Sequence, residues 1–293
     1  MKNLMKNIVA LILLSLVVDI SAGCTNKDAS TQPSQPGRVI TTSAYEKYFG
    51  GAPPVDKGTA YAFVIYFPSS REPGKVVPFP FFTFDEASSM KVAAERLLGG
   101  MDVGSYQGEF IQYPKGSRIL GINNDQGTVT VNLSKELLAI ADEPTAASAV
   151  SALLLTVRQF KAAKDVRLQV EGKDDPLNAL EKNADDNAVQ KPGPPRLLSV
   201  TAMRDKGAKE IEDVNSFFDR PVDVKELKLL SKDGQQLAGD LYHSVFDMAG
   251  VLKPKDPSQF KERMPIKVRW KVIDKLGRQA EGDNVWLLEV KEH

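Results

Sequence analysis

The run Tyr61-Ala62-Phe63-Val64-Ile65-Tyr66-Phe67 is rich in aromatic and β-branched residues and closes on Pro68-Ser69-Ser70, which predicts a buried strand. A return through Val76 to Phe84 follows, confined by Pro78 and Pro80 to an edge or an irregular strand. Asp85 offers an N-cap, after which Met90, Ala94, Leu97 and Leu98 recur at helical spacing until Gly99-Gly100. Arg118–Ile122 and Thr128–Leu133 flank Asn123-Asn124-Asp125-Gln126-Gly127, residues that tolerate positive φ, so this stretch reads as a β-hairpin. Pro144 opens a longer helix with Val150, Leu153, Leu154, Val157 and Phe160 on one stripe. Val166, Leu168 and Val170 alternate in a last strand closed by Glu171-Gly172-Lys173. The predicted class is α+β, a small sheet with helices on one face.

The pattern then changes. Asp174 to Pro195 mixes acidic residues and Asn with Pro192-Gly193-Pro194-Pro195, which makes 174–196 a linker. Beyond it, short alternating runs at Leu197–Met203, Val222–Leu230, Gln236–Tyr242, Ile266–Ile273 and Val285–Val290 predict an all-β, immunoglobulin-like sandwich over 197–293.

Within 58–173, several motifs together resemble the GerM domain of spore-germination and sporulation proteins. They are Ala93-Ala94-Glu95-Arg96-Leu97-Leu98-Gly99-Gly100, Tyr113-Pro114-Lys115-Gly116-Ser117, Val129-Thr130-Val131-Asn132-Leu133-Ser134, and Leu154–Phe160 with Val166–Gly172. Gly99-Gly100 stands where the family usually has Gly-Pro. The resemblance implies an envelope role in assembly with partner proteins, and no catalytic residues.

The N-terminus fits that setting. Lys2 and Lys6 precede an apolar run from Ile8 to Val18, and Ser21-Ala22-Gly23 leads to Cys24. Residues 1–23 read as an export signal, since the apolar run is about half of the roughly 20 residues a membrane span needs. Small residues before a cysteine resemble the lipobox of bacterial lipoproteins, although Ser21 occupies the position where an aliphatic residue is usual. Cys24 is the expected lipidation site, with a plain secretory signal as the alternative. Residues 24–57 are expected as a tether, solvated from Thr25 to Gly37, with Tyr45, Tyr48 and Phe49 docking on the first domain.

Composition narrows the function. Lys plus Arg and Asp plus Glu both number 38, so no global field attracts nucleic acid. With one cysteine the chain has no internal disulfide or thiolate metal cluster. The two histidines, His243 and His293, are thin support for acid–base chemistry. No HExxH, GxSxG or P-loop pattern occurs. Asn183, Asp185 and Asn187 start like a calcium loop, but Ala188 replaces the needed glycine. Asp185-Asp186 reads as part of a solvated hinge.

Three features have a functional and a plainer reading. Asp219 and Arg220 either face a ligand or form an internal ion pair. Trp270 and Trp286 either stack on a glycan or pack in the core. Lys253, Lys255, Lys261, Arg263, Lys267 and Arg269 either contact an anionic polymer or form a solvated face. The plainer reading is expected for each. The resulting expectation is a lipid-anchored, non-catalytic envelope module without a cofactor or metal. Its partners would be the membrane through Cys24 and other envelope proteins or a second copy, but not nucleic acid. The alternative is capture of a soluble ligand such as a wall fragment or oligosaccharide, and an unrecognised carboxylate enzyme ranks third.

Overall fold

The computed structural model describes residues 37–140, 142–174 and 184–293. The signal segment, Cys24 and the polar stretch up to residue 36 lie outside the described residues. Those described belong to one compact unit with two hydrophobic clusters, one in each of two lobes.

The first lobe begins earlier than expected. β1 (Arg38–Thr41) runs parallel to β2 (Thr59–Pro68), so residues 38–57 are folded rather than tether. The reason is local. Thr42 caps α1 (Ser43–Phe49), its hydroxyl accepting from the Tyr45 N–H at 3.2 Å, and α1 buries Tyr45, Tyr48 and Phe49 against the core. β3 (Val76–Thr83) pairs antiparallel with β2, and its prolines lie on the outer edge of this three-stranded sheet.

Asp85 does not cap α2 (Ser89–Leu98). Its carboxylate closes the preceding turn by accepting from Ala87 and Ser88, and the helix starts from Ser88 without a side-chain cap. A second sheet orders β4 (Ile119–Asp125), β5 (Thr128–Leu133), β6 (Asp165–Val170) and β7 (Lys173–Asp174). The hairpin is tighter than the sequence suggests. β4 runs on through Asp125, and the turn is only Gln126 (φ 52°) and Gly127 (φ 100°), the paired positive φ of a two-residue loop.

α3 (Glu143–Arg158) connects β5 to the parallel β6 and packs on β2 as well as β6, burying Val150, Leu153, Leu154 and Val157. Where β2 has left β1, α3 satisfies its backbone. The Gln159 side chain bonds both the N–H and the C=O of Val64, and Thr156 accepts from the Tyr66 N–H.

The second lobe contains strands and short 3-10 turns. β8 (Leu197–Arg204), β9 (Asp213–Phe218), β11 (Gly239–His243), β12 (Ala249–Pro254) and β15 (Glu289–Glu292) form a five-stranded sheet ordered β11-β12-β9-β8-β15. A three-stranded sheet orders β10 (Val222–Leu230), β13 (Pro265–Asp274) and β14 (Gln279–Leu287). On β13, Ile266, Val268, Trp270 and Val272 face inward, while Lys267 and Arg269 face out to Asp283.

Two strands escape the hydrophobic pattern. β9 buries the polar Asn215 and Ser216, and β12 opens with Ala249 and Gly250. Gly250 has a packing role, because a Cβ there would lie 2.5 Å from the Leu227 side chain. The run expected at Val285–Val290 divides into the end of β14 and β15, with Leu288 buried between them.

Candidate functional site

The densest set of polar contacts joins the two lobes. Asp219 and Arg220, in the turn between β9 and β10, are both buried and form a bidentate pair, with Nε and Nη2 each 3.0 Å from a carboxylate oxygen. Asp219 also accepts from the Tyr106 hydroxyl at 2.7 Å and from the Arg196 N–H at 3.1 Å. The remaining reach of Arg220 goes to the Gly193 carbonyl at 2.7 Å and towards Asp274 at 3.7 Å. Asp274 in turn accepts from the Leu276 and Arg278 N–H groups, and Arg278 donates to the carbonyls of Pro192 and Tyr48.

The stretch expected as a free linker is therefore docked where it is described. Proline lacks an N–H but keeps its carbonyl as an acceptor, so a Pro-Gly segment can lie across two arginines. Nearby, Lys75 donates to the Asn187 carbonyl, and Gln190 N–H bonds the Val76 carbonyl. Asp185 is not hinge filler either. It accepts from the Asn187 and Ala188 N–H groups, so its oxygens serve the chain, while Asn183 lies outside the described residues.

A groove of about 430 Å³ borders this clasp, between Arg71, Phe79, Tyr106 and Phe110 on one side and Pro192 to Arg196 on the other. Four of its charged residues, Arg71, Glu109, Arg196 and Arg220, are paired, while Glu72 and Lys191 on its rim are exposed. Arg196 makes a fork to Glu109 at 3.0 and 3.1 Å and stacks 4.0 Å over the Tyr106 ring, and Arg71 reaches the same carboxylate at 2.9 Å. The aromatic rings of the groove are buried, leaving little face for a ligand. Burial first, and then the neighbouring Asp219 charge, push the Tyr106 hydroxyl above the usual tyrosine range, so it remains a proton donor at neutral pH.

Trp270 and Trp286 take their plainer reading. Trp270 is buried edge-on to Phe218 with ring centroids 5.4 Å apart, and Trp286 packs on the same cluster. His243 is exposed, 3.9 Å from Asp247. His293 makes contacts that the sequence pattern does not reveal, because its partners are distant in sequence: Glu212 at 3.2 Å and Asp205 at 3.3 Å. Among the described residues these three form the set that could offer ligand atoms to a metal, and all three are exposed.

What remains open is a sheet edge. Among the described residues β11 pairs with β12 alone. Backbone bonds between residues 238 and 255 and between 244 and 249 fix the alternation, so even-numbered residues of β11 bond β12. The N–H and C=O groups of Gly239, Leu241 and His243 therefore point outward. Leu241 is 51% exposed and Tyr242 54%, and Val245 just beyond is 65% exposed. A cleft of about 100 Å³ between this edge and β10 is lined by Val224, Leu227, Leu241, His243 and Gly250.

The chain is thus an α+β domain followed by an all-β part, with no described helix long and apolar enough to cross a membrane. The family model Germane, described as sporulation and spore germination, matches residues 64–175, and the chain carries a GerM-like domain. Among solved structures it is similar to the first GerMN domain of the sporulation protein GerM from Bacillus subtilis, with 20% identity over 38% of this chain and 83% of that chain and a TM-score of 0.32. The tandem GerMN domains of the same protein match at 19% identity over 38% of this chain and 40% of theirs, with a TM-score of 0.32. CopC from Methylosinus trichosporium matches at 14% identity over 32% of this chain and 89% of that chain, with a TM-score of 0.23. No curated protein matches the sequence.

Proposed function

We propose that this is a cell-envelope protein, anchored by lipid on Cys24 outside the cytoplasm, that acts as a non-catalytic assembly module in the manner of sporulation and germination GerM proteins. The observation that carries the reading is the contrast between a groove whose arginines are held by Glu109 and Asp219 and a sheet edge whose backbone groups stand open beside exposed Leu241 and Tyr242. Catalysis would need a poised acid, base or nucleophile facing solvent, and the buried carboxylates Asp219 and Asp274 instead hold arginines and backbone N–H groups. Ligand capture, the second reading, rests on the groove and its aromatic floor of Phe79, Tyr106 and Phe110.

Crosslinking in intact envelopes of the host tests the proposal, with wild type compared against Cys24→Ser. Reproducible protein adducts that fall sharply when the anchor is removed are expected. A wild type that yields no adducts, but retains a wall-derived saccharide on purification, replaces assembly with ligand capture.

A further inference from the structure

We propose that two copies of this chain pair edge to edge through β11, antiparallel and centred on Leu241, joining their five-stranded sheets into one. This rests on the assembly reading and names its partner.

The register follows from the backbone. The outward groups belong to Gly239, Leu241 and His243. An antiparallel two-fold axis through the open edge must place outward-bonding residues opposite one another. Centring on Leu241 sets it opposite the second copy's Leu241, and sets Gly239 opposite His243 and His243 opposite Gly239. Every outward N–H and C=O of the strand then gains a partner.

Side chains agree with that register on both faces. On one face Leu241 meets Leu241, and each His243 stands across from a residue without a side chain. The 100 Å³ cleft beside Leu227 and Gly250 leaves room for them there. On the other face Asp240 stands across from Tyr242, a non-hydrogen-bonded pair whose side chains approach closely. Lys253, opposite Asp240 on β12, supplies the counter-charge on the same row. No like charges meet directly.

The edge is only lightly defended, with the exposed Asp240 as its one carboxylate. β11 has no proline, bulge or lysine, whereas β3 carries Pro78 and Pro80 and β10 carries a bulge between Val224 and Glu226. Four of its five residues, Asp240 to His243, are exposed, so the first lobe does not cover them.

Disulfide trapping in the full chain carrying Cys24→Ser tests the register, because no other cysteine is then present. In an antiparallel hydrogen-bonded pair the Cα atoms lie about 5.5 Å apart, within disulfide reach. Leu241→Cys is expected to give a covalent dimer on mild oxidation, while Asp240→Cys and the remote Lys232→Cys stay largely monomeric. Sedimentation of the same protein without an added cysteine is expected to show a concentration-dependent dimer that Leu241→Lys abolishes, with circular dichroism unchanged. A monomer at all concentrations overturns the proposal, as does a dimer that Leu241→Lys leaves intact. If β11 pairing fails while adducts persist in host envelopes, only the partner named here is lost. If both fail, the assembly reading falls with it.

Discussion

Tyr106 donates its hydroxyl to Asp219 across the boundary between the lobes, at 2.7 Å, and that carboxylate simultaneously holds Arg220 and the Arg196 backbone. A buried ion pair contributes little against an apolar replacement, but losing one partner strands the other. Asp219→Ala is therefore expected to cost about 3–5 kcal/mol, and Tyr106→Phe about 1.5–3 kcal/mol for a hydrogen bond to a charged group. Urea unfolding checks both values. Tryptophan fluorescence and far-ultraviolet circular dichroism should shift together, since the clasp joins both lobes.

Alkaline pH reads the same contact. Burial, more than any neighbouring charge, raises the hydroxyls of Tyr45, Tyr66, Tyr106 and Tyr113 above the ordinary tyrosine value of 10.0. Between that value and the raised one the unfolded chain has lost protons that the folded chain keeps, so stability is full below pH 10 and falls as pH rises beyond it. Tyr106→Phe should flatten that fall, as measured by denaturant titrations at increasing pH.

Gly127 is the residue on which the hairpin between β4 and β5 turns. Its φ is 100°, and a Cβ would lie 2.7 Å from the Lys164 side chain. Gly127→Ala is expected to lose about 1–2 kcal/mol from backbone conformation. Thermal unfolding measures the loss, and Gly193→Ala, where a Cβ meets open space, is the control.

Phe246 sits in the left-handed region at φ 65° and stacks on Phe82 of the other lobe, with centroids 4.3 Å apart and planes within 9°. The stack compensates for the strained backbone. Phe246→Ala keeps the strain and loses the stack, while Phe246→Gly loses both, so the glycine variant should be the more stable by about 1 kcal/mol. The reverse order in thermal unfolding contradicts this account of the turn.

The sequence made legible those elements whose period matched their burial. α3 and β6 announce themselves because Val150, Leu153, Leu154 and Val157 are all buried, as are Val166, Leu168 and Val170. β9 and β12 stayed hidden because their inward positions include Ser216 and Gly250, which carry no hydrophobic signal. The docked segment around Pro192 was invisible for a different reason, since its contacts are carbonyls, which no side-chain pattern encodes. Asp219 and Arg220 could be read as an ion pair, but their partners Tyr106 and Asp274 are remote in sequence. The open edge of β11 is a property of sheet order, which local pattern does not determine.

The most direct test of the central claim is the intact mass of the protein isolated from host membranes, compared with Cys24→Ser after fractionation. The account predicts a chain beginning at an acylated Cys24 in the membrane fraction, and a variant that leaves it. An unmodified cysteine on a protein found wholly in the soluble fraction would contradict it.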